Sequence, residues 1–405
     1  MKLWIDAAVA TSARVFGMSP IERHLKAVRH LKLDLSEVVI DIGTGPVPEY
    51  RAEPRLGCPV RIVQGDGSCG ARLAAVLDQE PILAVDAATL ADARLYGHLG
   101  RSTGSKVARG AGAEEDAVIA RIEPADRARI MASATNLAGA TAQLAPLTQA
   151  EFPAFIRKLR RSTPYYLFRI ETAPEARAVE RFLFWSNYKG STDFFTKYVY
   201  PPLVWLLVPP LARARVHPNL VTAISILLTV LAVPLFAEGW FGLGFLCAYG
   251  MSVLDSVDGK LARLTFTDSA LGNILDHGLD LVHPPFWYLA WAYGMTGGDT
   301  TSPAWQAGLW MLGLYVLDRL ILKIYPTIFG RGLHTHAKID AVVRTFISRR
   351  NINLPLFTIG YPLGFGVQTI YVIVVWQALT CLYHGFRTFW ILKVEKARPE
   401  VAAAR

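Results

Sequence analysis

Eight residues between positions 255 and 280 have the types and spacings of a metal-assisted phosphoryl-transfer site. Asp255, Asp258, Gly259, Ala262 and Arg263 fall at i, i+3, i+4, i+7 and i+8, on one face of a helix. Gly272, Asp276 and Asp280 repeat at i+4 and i+8 and fit one face of a following helix. Four carboxylates so close cannot all stay ionised without cations. Hard oxygen ligands select Mg²⁺ or Mn²⁺, with waters and a substrate phosphate completing the shell. Gly259, Ala262 and Gly272 permit close backbone approach, as small residues do between membrane helices. Packing alone would account for the small residues, and a surface turn for one acidic pair. The eight together, in a strongly apolar region, point to chemistry, because charge at membrane depth is costly. A cation transporter would also use carboxylates there. It would need neither a glycine after the second aspartate nor an arginine five residues later.

The elements that must position these residues are helices of membrane character. The chain has 405 residues, room for two or three domains, and 52% are hydrophobic, an excess concentrated after about residue 199. Six apolar spans are expected at 219–236, 241–264, 269–294, 304–325, 353–363 and 367–386, against the ~20 residues a crossing helix needs. The fifth is short. The connections near Gly239, Gly297 and Gly364 hold no Lys or Arg, whereas the opposite side is basic from Arg213 and Arg215 to Lys393 and Lys396. That bias sets both termini and the aspartates on the cytoplasmic side of a multi-pass inner-membrane protein. A net charge of +9 then fits an anionic leaflet, with no nucleic-acid partner. Residues 186–217, with their aromatics and proline pairs, read as an interfacial amphipathic helix or a linker. The four cysteines are too dispersed for zinc or a disulfide framework, and the N-terminus shows no signal-peptide pattern.

Residues 1–185 read as a doubly wound, Rossmann-like α/β domain with a largely parallel sheet. Strands are expected at 37–42, 59–63, 81–86, 117–122 and 165–170, and helices at 70–77, 88–99 and 174–185. Ser19-Pro20-Ile21-Glu22 has the form of a capping box opening a further helix. Residues 100–113 are expected to be a loop. Gly65-Asp66-Gly67-Ser68-Cys69-Gly70 matches G-x-G-x-x-G without an acidic ribose partner, so a tight strand-to-helix turn is the simpler account.

The pattern D-x-x-D-G-x-x-A-R, eight residues, then G-x-x-x-D-x-x-x-D resembles the signature of the CDP-alcohol phosphotransferases at every defined position. HPNLVT resembles that family's entry to the first membrane helix, and Arg349 to Asn351 its cytoplasmic RRN before the fifth. The resemblance extends more loosely over about residues 190–390, with the membrane domain expected at 218–395. It implies displacement of CMP from a CDP-alcohol by an acceptor hydroxyl, the acceptor being a lipid or a soluble alcohol. Asp255, Asp258 and Asp276, with Asp280 sharing, would hold two divalent ions, and Asp280 would be the general base. CDP would be bound by Asn219, Thr222, Asp255, Asp258, Gly259, Ala262, Arg263 and Gly272. Acceptor candidates are Asp318, Arg319, Arg331 and Lys338; of these, Arg331 and Lys338 form a basic loop cluster with His334 and His336. A homodimer completes the expectation.

Residues 1–185 resemble a degraded sugar-phosphate nucleotidyltransferase. SPIERHLKAVRHL is similar to that family's first long helix, GDGSCGARL to a nucleotide-contacting turn, ILAVDAATL to the strand ending in a metal aspartate, and FRIETAPEARAVERFL to the element carrying a second carboxylate. Asp86 and Glu171 would be the metal ligands. The glycine-rich loop that should cradle a triphosphate near residues 8–17 reads VATSARVFGM, with Arg14 its one basic candidate. A bifunctional enzyme that also makes its CDP-alcohol from CTP is the alternative; a non-catalytic scaffold and a transporter are the others.

Overall fold

The computed structural model describes residues 1–9, 11–156, 159–330 and 332–395, without the side chains of 270, 271, 273, 275–277, 279, 280 and 395. The N-terminal half is an α/β domain built from β1 (Lys2–Asp6), α1 (Pro20–His30), β2 (Glu37–Asp41), β3 (Val60–Val63), α2 (Cys69–Val76), β4 (Ile82–Asp86), β5 (Thr89–Ala91), α3 (Ala93–Arg101), β6 (Lys106–Arg109), β7 (Val118–Ile122), α4 (Leu137–Ala140), β8 (Phe155–Ile156), β9 (Arg161–Ser162), β10 (Leu167–Arg169) and α5 (Ala173–Ser186).

The main sheet runs β3-β2-β1-β4-β7-β6. Its first four strands are parallel, and β7 and β6 add antiparallel. Leu3, Ile5, Val38, Ile40, Leu83 and Val85 face α1 and α3 in one core, while Trp4, Val39, Ile82 and Ala84 face α2 and α4 in another. Period-2 alternation on near-continuous apolar runs thus buries both faces. The central strand β1 falls outside the expected strands, because its short apolar run begins the chain with no turn signal before it. Residues 88–91 are not helical: Thr89–Ala91 pairs with β10, and the helix begins only after Asp92, whose side chain accepts from Arg94 N. Likewise β10 belongs to this small ribbon and not to the main sheet. The expected loop at 100–113 contains edge strand β6.

Ser19 does cap α1, accepting from Glu22 N. The reciprocal half of the expected box is absent, since Glu22 accepts from Arg51 N and pairs with Arg215. The G-x-G-x-x-G stretch serves packing. Gly67 has φ +112, and a Cβ on Gly70 would lie 2.0 Å from Met131 O.

The second half is helical: α6 (Pro201–Arg213), α7 (Pro218–Ala237), α8 (Phe241–Thr265), α9 (Ala270–Met295), α10 (Pro303–Phe329), α11 (Lys338–Val343), α12 (Arg350–Gly360) and α13 (Gly366–Trp390). Helices stand at all six expected positions. Among the described residues, α7 and a continuation of α13, Gly366–Val394, are long and apolar enough to cross a membrane. At 11 residues α12 is about 16 Å long, too short to do so. Leu220, Ile224, Leu227 and Leu231 on α7 and Val372, Val375, Leu379, Leu382 and Phe386 on α13 form outward apolar stripes, suited to lipid.

The two halves interlock. Val204, Val208 and Ala212 of α6 join α5 and the carboxyl end of α8 in one core. Arg213 pairs with Glu180 at 2.7 Å and Arg215 with Glu22 at 3.3 Å, so these arginines face the α/β domain and not open cytoplasm.

Candidate active site

The α8–α9 turn brings the expected nucleotide residues to one place. A small pocket of about 40 Å³ is lined by Asn219 and Thr222 of α7, Asp258, Gly259 and Ala262 of α8, and Gly272 of α9. Thr222 hydroxyl donates to Asp258 Oδ2 at 2.6 Å, and Gly259 N lies 2.5 Å from Oδ1. Ser269 caps α9 by accepting from Gly272 N at 3.0 Å. Gly272 is needed for the close approach of α7, since a Cβ there would lie 3.0 Å from Asn219 Oδ1. At Gly259 an added Cβ would meet Arg263 Nη1 at 3.2 Å, so this glycine leaves the guanidinium its room.

Asp255 lies one turn before Asp258 and opens onto a different, larger cavity of about 510 Å³, which Arg263 also lines. Arg350 Nη2 donates to Asp255 Oδ2 at 3.2 Å, and Arg350 also contacts His283 and Met251 Sδ. Arg350 therefore belongs to the site, although sequence reasoning gave it no role; its place in the RRN triplet was the available signal. Asp276 and Asp280 are on α9, but their side chains lie outside the described part. Among the described residues no cluster of three or more His, Cys, Asp or Glu side chains forms. Asp255 on the large cavity and Asp258 on the small pocket are an i, i+3 pair of hard oxygen donors whose chemistry suits Mg²⁺ or Mn²⁺.

A second cavity of about 480 Å³ joins the two halves. It is lined by Lys26 and Arg51 of the α/β domain, Arg215 and His217 before α7, and Thr267, which it shares with the small pocket.

Residues 215–391 match the family model described as CDP-alcohol phosphatidyltransferase. Over that stretch, a little under half of the chain, the protein is similar to this family. The chain is also 34% identical over 110 residues to Cholinephosphotransferase 1 of Xenopus laevis, covering 24% of this chain and 27% of that relative. A match to Cholinephosphotransferase 1 of Danio rerio is 31% identical over 114 residues, covering 25% and 29%. The chain thus spans only about a quarter of these relatives' length.

Within the matched region the acceptor candidates divide. Arg319 lines the large cavity, stacks on Tyr315 and pairs with Asp318 at 3.2 Å. Asp318 is fully buried and bonded to His384 Nδ1 at 2.5 Å, which makes it a packing residue. Lys338 is exposed at the start of α11, outside the cavity, and Arg331 lies outside the described residues. His334 and His336 are buried and not on an open loop surface: His336 bonds Tyr325, and His334 packs on His384.

In the α/β domain, Asp86 ends β4 and Glu171 follows β10, with Arg169 between them. Its Nε is 2.5 Å from Glu171 and its Nη1 3.6 Å from Asp86. Burial raises the Asp86 carboxyl above its usual value, while Arg169 pulls it back. Asp6 and Asp41, ending β1 and β2, are bridged by Arg72 at 2.7 and 3.0 Å. The segment that would cradle a triphosphate is committed elsewhere: Arg14 pairs with Glu49, and Phe16 N donates to Glu180.

Proposed function

We propose that the chain is a multi-pass inner-membrane transferase that moves a substituted phosphate from a CDP-alcohol to an acceptor hydroxyl, releasing CMP on the cytoplasmic side. The observation that carries this reading is the convergence of Asn219, Thr222, Asp258, Gly259, Ala262 and Gly272 around one pocket beside Asp255. The cholinephosphotransferase relatives support a donor of this class, and the apolar stripes support the membrane setting.

In this reading Asp255, Asp258 and Asp276, with Asp280 sharing, would hold two divalent ions. When bound, these ions neutralise charge on the attacking and leaving oxygens. The chain's own residues do the rest. Thr222 fixes the Asp258 carboxylate, and Arg350 orients Asp255. Asp280 takes the acceptor's proton as the acceptor oxygen bonds the β-phosphorus and the bond to CMP breaks. The α/β domain makes no CDP-alcohol, because arginines occupy its carboxylates.

Purified protein should release CMP from a CDP-alcohol only with Mg²⁺ or Mn²⁺ present. Chelation or Asp280→Asn should remove at least about 99% of that rate, as loss of a general base does. CMP release that survives Asp280→Asn would reject the reading; ion transport without CMP release would favour a transporter.

A further inference from the structure

The small pocket that collects the expected nucleotide residues has a volume of about 40 Å³. Pockets that hold a small molecule run from about 300 to 1,000 Å³, so a nucleoside needs more room than this one gives. Two larger spaces share a residue with it. The large cavity of about 510 Å³ meets it at Gly259, and the cavity of about 480 Å³ between the two halves meets it at Thr267. Asn219, Ala262 and Gly272 line the small pocket and not the large cavity, which opens instead on Asp255. On the transferase reading above, on which this inference rests, the diphosphate lies at Asp255 and Asp258. Its nucleoside then extends along the small pocket toward Thr267 and the α/β domain.

The cavity between the halves has the lining a nucleoside needs. Met18, Pro54 and Val216 give it apolar walls, while Lys26 and Glu53 bring a donor and an acceptor. Helix α1 sets these groups against the small pocket, with Lys26 and His30 at i and i+4 on one face. Lys26 Nζ lies 3.5 Å from Thr265 O, and His30 pairs at 3.1 Å with Asp268, which lines the small pocket. Thr265 Oγ1 is in turn 2.7 Å from Oγ1 of Thr267, the residue common to both spaces. Half-buried and held by that one 3.5 Å hydrogen bond among the described residues, the Lys26 ammonium has donors to spare. Glu53 meets Arg29 through Oε1 at 3.4 Å, and its Oε2 has no partner among the described residues. We infer that the α/β half completes the nucleotide site. The nucleoside passes Thr267 into the cavity between the halves, where Lys26 donates to the O2 and N3 edge of cytosine and Glu53 Oε2 accepts from its exocyclic amine. Carboxylates pair with that amine, whereas a uracil carbonyl in its place would face Glu53 with no proton between them. The family match begins at residue 215, so neither Lys26 nor Glu53 belongs to the matched region.

Calorimetry on the full-length protein in detergent with Mg²⁺ tests this, with CDP, UDP and inorganic pyrophosphate as probes and CMP release from CDP-alcohols measured beside it. Lys26→Met is expected to raise Kd for CDP at least about tenfold, one charge-assisted contact being lost, and Lys26→Arg to restore part of it. Affinity for pyrophosphate should match wild type; a parallel loss would put Lys26 on the diphosphate and overturn the nucleoside assignment. Glu53→Gln should narrow the preference for CDP over UDP at least about tenfold. Unchanged CDP affinity in Lys26→Met and Glu53→Gln, with CMP still released, would overturn the proposal and leave the transferase reading intact. Weaker CDP binding that Lys26→Arg does not restore, with a lower melting point in the absence of ligand, would mark a structural role and also overturn it. If the wild type releases no CMP from any donor yet binds CDP through Lys26 as expected, the nucleoside site stands and the transferase reading falls.

Discussion

Asp258 and His24 show two ways in which a single residue is fixed before any ligand arrives. Asp258 is 5% exposed, yet both carboxylate oxygens are engaged, Oδ2 by the Thr222 hydroxyl. Such contacts lower the cost of burying a carboxylate and point its remaining lone pairs. His24 on α1 is the opposite case. It bonds Tyr96 through Nδ1, its Nε2 has no partner, and burial pushes its pKa down from 6.5 to about 3. The unfolded chain therefore binds a proton near pH 6.5 that the folded chain refuses until about pH 3. Stability is complete above 6.5 and lost as the pH falls through that window, by up to about 1.4 kcal/mol per pH unit. His24→Asn should flatten the fall of the unfolding midpoint between these limits. Equal slopes for the two proteins would count against a neutral buried imidazole.

Helix α8 carries Asp255 and Asp258, and its carboxyl-terminal end is held by the other half of the chain. Arg23 Nη1 donates to Leu264 O at 3.1 Å and Arg29 Nη2 to Phe266 O at 2.6 Å, so α1 supplies cations to the carboxyl end of α8. Phe266 adopts φ 55, a left-handed cap unusual for a large side chain, with the Arg23 guanidinium 5.2 Å over its ring. In the other direction Lys260 of α8 donates to Phe184 O in the last turn of α5 at 2.6 Å. Arg29→Met should cost about 1.5–3 kcal/mol, the worth of a hydrogen bond from a charged donor. It should also lower CMP release by moving the α8–α9 turn. Thermal unfolding and turnover of the full chain measure both, and an unchanged midpoint would show that α1 does not brace α8. Six of the eight helices of the second half were legible from apolar runs punctuated by Gly239, Gly297 and Gly364, and the expected nucleotide residues from i, i+3 and i+4 spacing. The brace was not, because Arg29 and Phe266 stand 237 positions apart and α1 reads as an ordinary amphipathic helix. Arg350 was hidden for the same reason, meeting Asp255 across 95 positions. Strand β5 was lost to helical periodicity that begins in earnest only after Asp92.

At the scale of the whole molecule, the α/β domain presents carboxylates that arginines already hold. A doubly wound sheet binds ligands at the carboxyl ends of its parallel strands. Here that edge presents Asp6, Asp41 and Asp86, and of these Asp86, with Glu171 nearby, is the expected metal pair. Arg72 spans the first two at 2.7 and 3.0 Å, and Arg169 links Asp86 with Glu171. A divalent ion would have to displace a guanidinium from both members of either pair. Arg72 is 9% exposed and so cannot recover its lost contact in water. The triphosphate would also need converging backbone amides, and Phe16 N is already spent on Glu180. The domain holds α8 through α1 and α5 and walls the cavity that shares Thr267 with the small pocket. Full-length Asp280→Asn protein, its transferase disabled, should therefore release no pyrophosphate from CTP with any phosphorylated alcohol, with or without Mg²⁺. Pyrophosphate release that Asp86→Asn abolishes would make the chain bifunctional. Otherwise, on the transferase reading, the CDP-alcohol must come from a separate cytidylyl-transfer reaction, and the α/β half would set the register of α8.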